Sequence, residues 1–195
     1  MCCYQWQVYC KKSIICMGLE NYKTSIESDR LILRILEEND ASEEYAFWLN
    51  DPIVNKYLET RKATIEELKK YIKERLESGK CLFFGIFWKA DGEHIGNIKL
   101  EPVDFEQKKA TLGILIGNTA YWGKGVGAEA VNALTDYAFN SLNLNEVNLG
   151  VISENKPAVG LYKKCGFEEY DIKKQSLDHE GILYDSVQMR KRKNG

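Results

Sequence analysis

No stretch of this 195-residue chain approaches about 18 consecutive apolar residues, so no transmembrane helix is expected. Histidine is nearly missing. His94 and His179 stand apart, in or near turns, and neither is assigned to chemistry. An excess of one charge is missing too: a formal net charge of −2 argues against a broad nucleic-acid or anionic-membrane surface. The basic run Arg190-Lys191-Arg192-Lys193 reads as a solvated end. Metal-ligand spacing is also lacking. Cys2, Cys3, Cys10 and Cys16 match no zinc ribbon or finger, and no histidine completes a site, so no metal is expected. Cys81 and Cys165 sit in apolar contexts and read as small buried hydrophobes. Reduced thiols in a cytoplasmic protein follow. The first segment carries Lys11-Lys12 and no apolar run of signal-peptide length. Residues 1–20 are expected to be a poorly ordered extension, with Met17 as a candidate start, and residues 21–195 to form one domain. With no repeat, low-complexity segment or linker, a single α+β domain is the simplest account.

What is present alternates between strand and helix patterns. Arg30 to Ile35 alternates and reads as a first strand. Asn39-Asp40 is expected to cap a helix carrying Ala41, Tyr45, Trp48 and Leu49, which Asn50-Asp51-Pro52 stops. Thr64 and Glu67 form a capping box ahead of Ile65, Leu68, Ile72 and Leu76, and Ser78-Gly79 ends that helix. Leu82 to Trp88, His94 to Leu100 and Lys109 to Ile116 read as an antiparallel meander, its first turn built on Asp91-Gly92. A helix over 126–139 should face Val126, Ala130, Leu134 and Tyr137 inward. Glu146 to Ser153 is then a strand parallel to the one before that helix. Asn155 and Pro157 open a short helix that Gly166 ends, and Phe167 to Lys174 and Ile182 to Met189 are final strands.

The stretch Tyr121-Trp122-Gly123-Lys124-Gly125-Val126-Gly127-Ala128-Glu129-Ala130 places three alternate glycines between a strand and a helix. Glycine permits positive φ and close approach of a ligand to the backbone. The helix start adds unpaired N–H groups and the positive end of the dipole, a combination that cradles phosphate. A dinucleotide fingerprint needs Gly-x-Gly-x-x-Gly, which this is not, and no Gly-Lys-Ser/Thr is present. Gly150 is a candidate weak point where the two parallel strands separate. By spacing alone Tyr162 is a core tyrosine and Asn155 a helix cap.

The glycine stretch, followed by Glu154-Asn155-Lys156-Pro157-Ala158-Val159-Gly160-Leu161-Tyr162-Lys163-Lys164-Cys165-Gly166-Phe167, resembles the GNAT superfamily of N-acetyltransferases. The likeness spans roughly residues 28–190 and is nearest the ribosomal-protein-alanine N-acetyltransferase branch. Asp29 to Arg34 resembles that branch's opening strand. The resemblance implies a mixed, mostly antiparallel sheet of about six to seven strands, flanked by about four helices and splayed between two parallel strands. It implies acetyl-coenzyme A as donor and a primary amine as acceptor, attacking directly. Gly123, Lys124, Gly125, Val126, Gly127 and Ala128 would hold the diphosphate. Ile114 and Ile116 would offer main-chain groups to the pantetheine arm and the thioester carbonyl, one N–H acting as an oxyanion donor. Asn155 would touch the cofactor and Tyr162 would lie near the sulfur. Relatives often have a glutamate where this chain has Thr111; Glu101, Asp104 or a water relay would then take the proton. Residues 50–64, with Asn55, Tyr57, Glu59 and Arg61, and the loop near Lys174 to Gly181 would wall the acceptor site. The expected partners are a protein N-terminal amine or a small amine, and a second copy in a homodimer. The competing reading is a non-catalytic acyl-coenzyme A sensor.

Overall fold

A computed structural model describes residues 25–58, 62–179 and 181–193. The expectations about residues 1–20, Met17, Glu59, Arg61 and the His179 side chain lie outside the described residues. The elements are β1 (Ser25–Glu27), β2 (Leu31–Ile35), α1 (Glu43–Asn50), α2 (Ile65–Glu77), β3 (Leu82–Trp88), β4 (His94–Asp104) and β5 (Lys109–Ile116). Then come α3 (Val126–Asn140), β6 (Glu146–Ile152), α4 (Lys156–Lys164), β7 (Glu168–His179) and β8 (Ile182–Arg192). The strands form one sheet in the order β1-β2-β3-β4-β5-β6-β8-β7. It has eight strands, where six to seven were expected. The extra one is β1, three residues long and too short to show alternation. All ladders are antiparallel except β5–β6.

The helices form because their caps and stripes agree. Thr64 accepts from the Glu67 N–H while the Glu67 carboxylate accepts from the Thr64 N–H, closing the expected capping box. Leu68 and Ile72 are buried behind it, each stabilising the fold by about 2 kcal/mol. The cap of α1 differs from expectation. Asn39 and Asp40 lie in a 3-10 turn, and Ser42 accepts from the Tyr45 N–H to start the helix. Asp40 is instead held by Arg34, at 2.7 Å.

Two apolar cores result, one on each face of the sheet. One packs α3 and α4 through Val126, Ala130, Leu134 and Tyr162 on Leu33, Phe84, Ile98 and Leu149. The other packs α1 and α2 through Tyr45, Trp48, Leu68 and Ile72 on Phe83 and Leu36. β4 runs on to Asp104 instead of ending at Leu100, because the ladder resumes at Val103↔Ala110 beyond an irregularity. β7 and β8 likewise outrun their expected ends.

Candidate active site

Alternation along β5 sets the main-chain geometry. The Gly117 N–H donates to the Ile95 carbonyl, so Leu115 and Gly113 turn their main-chain groups toward β4, while Ile114 and Ile116 turn theirs toward β6. The parallel register with β6 stops early: Lys109↔Glu146, Ala110↔Val147 and Thr111↔Asn148. Ile114 and Ile116 therefore face a gap without a ladder partner among the described residues. The Ile116 carbonyl is satisfied by the Trp122 indole N–H at 2.8 Å, which leaves the Ile116 N–H and both Ile114 groups on that edge. Gly150 is not where the strands part. It pairs with Gln188 inside an unbroken β6–β8 ladder, and the separation begins two residues earlier, after Asn148.

The glycine loop lies at the mouth of this gap. Gly123 and Gly125 adopt φ of 74° and 78°, and Gly125 is the N-cap of α3 with no capping side chain. The first intrahelical bond runs from the Glu129 N–H to the Gly125 carbonyl. The N–H groups of Val126, Gly127 and Ala128 are thus orphan donors at the positive end of a 15-residue helix. The Lys124 N–H turns back toward Tyr121 at 3.4 Å, and its ammonium lies 5.6 Å over the Tyr121 ring. A Cβ on Gly123 would meet nothing within 4 Å, whereas one on Gly127 would come within 2.8 Å of Leu161. Gly127 therefore also lets α4 lie close to α3.

A latch that sequence reasoning missed fixes this loop. Glu129 accepts from the Arg30 N–H, the Arg30 Nε and the Ser28 hydroxyl, each at 2.7 Å. Arg30 Nη1 reaches on to the Lys124 carbonyl at 3.1 Å. Burial alone would raise the Glu129 pKa, but these bonds outweigh it and hold the carboxylate below its usual range. The two partners are 99 residues apart, a pairing that one sequence does not reveal.

On the other side of the gap, Asn155 caps α4 through a 3.3 Å bond from the Ala158 N–H to Oδ1. That occupies one side-chain atom and leaves the amide nitrogen. Tyr162 is 7% exposed, on the inner face of α4, with its ring 5.9 Å from Phe167. Burial pushes its hydroxyl up to about 12, and Cys165 adds to the shift. Its hydroxyl makes no hydrogen bond among the described residues.

A cavity of about 630 Å³ opens between α1, α2 and β3–β5, reaching Gly113, Ile114 and Leu115. Tyr45, Tyr57 and Tyr71 line it, with Asn97 and Lys99 from β4. The Tyr57 hydroxyl lies 3.4 Å from the Glu154 carbonyl, tying the segment after α1 to the loop before α4. The two candidate carboxylates, and the threonine at the position where relatives have a glutamate, are engaged elsewhere. The Thr111 hydroxyl donates to Asn148 Oδ1 at 2.9 Å and bridges the two parallel strands. Glu101 is shared by Lys99 at 2.7 Å and Arg75 at 3.1 Å. Asp104 stands opposite Lys109 in the β4–β5 ladder, at the far end of β5, and its carboxylate accepts from the Gln107 N–H.

Comparison with known proteins agrees with this geometry. The family profile described as an acetyltransferase (GNAT) domain matches residues 30–168. The uncharacterized N-acetyltransferase p20 of Bacillus licheniformis is 32% identical over 165 residues, 83% of this chain and 92% of its own length. A spermidine N(1)-acetyltransferase of Vibrio cholerae is 29% identical over 142 residues, 73% of this chain and 81% of that protein. The crystal structure of the Vibrio cholerae spermidine N-acetyltransferase with CoA and spermine superposes with a TM-score of 0.77. It is 26% identical, over 85% of this chain and 96% of that one. A structure of a putative ribosomal-protein-serine acetyltransferase from Vibrio cholerae has a TM-score of 0.72 at 20% identity, over 87% of this chain and 97% of that one, and shows a shared fold.

Proposed function

Because the chain belongs to the GNAT acetyltransferase family, it is an acetyl-coenzyme A-dependent N-acetyltransferase, and we propose that its acceptor is a small primary amine entering the cavity beside β5. The observation that carries this reading is the gap at Ile114 and Ile116, with an anion seat at one mouth and a recessed cavity against the other face of β5. The groups present fit the donor. Orphan N–H groups at Val126, Gly127 and Ala128 suit a diphosphate. The free strand edge at Ile114 and Ile116 suits an amide-bearing arm laid down as an extra strand. Bound acetyl-coenzyme A supplies the activated acyl carbon.

The residues divide the remaining work. Main-chain N–H groups of β5 polarise the acyl oxygen without reorganising, since the sheet already fixes them. The cavity holds the amine against that carbon, which converts the encounter into a local step. As the new N–C bond forms and the C–S bond breaks, Tyr162, still protonated at neutral pH, donates to the departing sulfur. The Asn155 amide nitrogen holds the arm as the strands part. With Thr111, Glu101 and Asp104 engaged, a water relay through the cavity carries off the amine proton.

A protein N-terminal α-amine is the second acceptor class, which the likeness to the ribosomal-protein-alanine branch favours. The relatives named spermidine N-acetyltransferases and the recessed cavity favour the small amine. Free-thiol release from acetyl-coenzyme A, screened over small amines and N-terminal peptides, tests both. Turnover with a small amine is expected. Tight cofactor binding by calorimetry with no thiol from any amine would establish a sensor instead.

A further inference from the structure

Beside the carboxylates of Glu67 and Glu74 on α2, the cavity presents side-chain donors from β4. Asn97 lines its floor, 4% exposed, opposite Leu115 in the β4–β5 ladder. His94 Nε2 lies 2.9 Å from both the Gly96 carbonyl and Asn97 Oδ1. The carbonyl can only accept, so Nε2 carries the proton, and the Asn97 atom facing it is the oxygen. Phe87, stacked at 4.8 Å, and Trp48, edge-on at 5.1 Å, fix that imidazole. Asn97 Nδ2 is left buried with no partner among the described residues. An orphan of this kind is destabilising and calls for an explanation.

Two residues along the same face, the Lys99 ammonium bonds Tyr71 at 3.0 Å and Glu101 at 2.7 Å. Arg75 shares that one carboxylate, so the cluster keeps a net positive charge. Burial alone would lower the Lys99 pKa, but the bonds with Glu101 and Tyr71 outweigh it and keep the group charged. The lining carboxylates are Glu67 and Glu74. Glu67 closes the α2 cap, and Glu74 faces Lys70 at 3.9 Å.

We propose that Asn97 and Lys99 form a carboxylate-binding subsite, so that the acceptor is a small primary amine that also carries a carboxylate. The proposal rests on the N-acetyltransferase reading above. Neighbouring strands lie about 4.8 Å apart, so a carboxylate on β4 leaves the amine of a short amino acid within reach of the β5 edge. One carboxylate oxygen takes Asn97 Nδ2 and the other takes Lys99 Nζ.

The test is thiol release from acetyl-coenzyme A by the full chain. The acceptors are amino acids of increasing length, each beside its amide and its descarboxy amine, together with spermidine. The best amino acid should exceed its descarboxy amine and spermidine at least tenfold in kcat/KM. Asn97→Asp keeps the bond to His94 but sets an anion where the donor was, and Lys99→Met removes the charge. Each should raise the amino acid's KM at least tenfold and leave the KM for acetyl-coenzyme A within twofold. Preference for spermidine or the descarboxy amine, or folded variants with unchanged amine KM, would overturn the subsite and leave acetyl transfer standing. Thiol from none of these amines would overturn the small-amine reading, and the subsite with it.

Discussion

Tyr162 carries two demands that pull the same way. Its ring belongs to the core, and the burial that places it there pushes its hydroxyl up to about 12. The role we propose requires a group that holds its proton at working pH, and this hydroxyl does so well into the alkaline range. Removing the hydroxyl as Tyr162→Phe should slow turnover at least tenfold, about 1.4 kcal/mol of barrier, while acetyl-coenzyme A binding stays near the parent value by calorimetry. The sign of the titration gives a second readout. The folded value lies above the ordinary 10, so the neutral phenol's stabilising contribution is full below pH 10 and lost as pH rises toward 12. The kcat profiles of the parent and Tyr162→Phe should therefore run parallel below pH 10, and a divergence beginning near neutrality would remove Tyr162 from proton donation. At this scale the sequence was partly legible. Tyr162 and Asn155 follow a helix signal and a motif. Asn97 does not, because its meaning comes from an imidazole three positions back and a cavity built by two distant helices.

The start of α3 shows how a helix end with unpaired N–H groups is held in place. Its free N–H groups carry no cap of their own, and the loop before them needs two residues at positive φ. Both features weaken a helix end, and the Arg30–Glu129–Ser28 latch offsets them from outside the element. Glu129→Gln should lower stability by about 2 kcal/mol at neutral pH and raise the KM for acetyl-coenzyme A several-fold. Because the folded carboxylate titrates below its ordinary 4.5, its contribution is present above that value and lost as pH falls through the lower folded one. Thermal melts of parent and variant should converge as pH falls below 4.5; a constant difference would show that the latch acts by packing alone. Gly117 is constrained differently. A Cβ there would run into the Trp48 ring, so Gly117→Ala should cost about 3 kcal/mol by overpacking, seen as a lowered melting temperature. Elements with local signals were legible: the capping box of α2, the Asp-Gly turn, and the ends of β3 and β5. β1 was not, since three residues carry no period, and Ser42 was overlooked because Asn39-Asp40 offered an equally good cap in sequence.

For the whole molecule, the two parallel strands form the seam of the sheet. On one side lie β1 to β5, on the other β6 to β8, and the ladder joining them is three residue pairs long. The Thr111–Asn148 bond closes the last of these pairs. The three-strand meander and the single parallel pair were expected, the latter from a crossover helix and its handedness, but where the pairing would stop was not. Gly150 was the visible candidate, yet it lies within an intact ladder with β8, and the seam opens at Asn148 because β6 is held by β8 rather than by β5. A ligand lying along the open edge of β5 would take up main-chain groups that have no strand partner. At 100 times its Kd such a ligand stabilises the folded state by about 2.7 kcal/mol. The local consequence is more discriminating. Amide hydrogen exchange at Ile114 and Ile116 should slow on adding coenzyme A, while Leu115, whose main-chain groups face β4, should change far less. Equal protection of all three would indicate global stabilisation without strand addition. Protection confined to α3 would place the ligand on the helix start alone, with the seam unused.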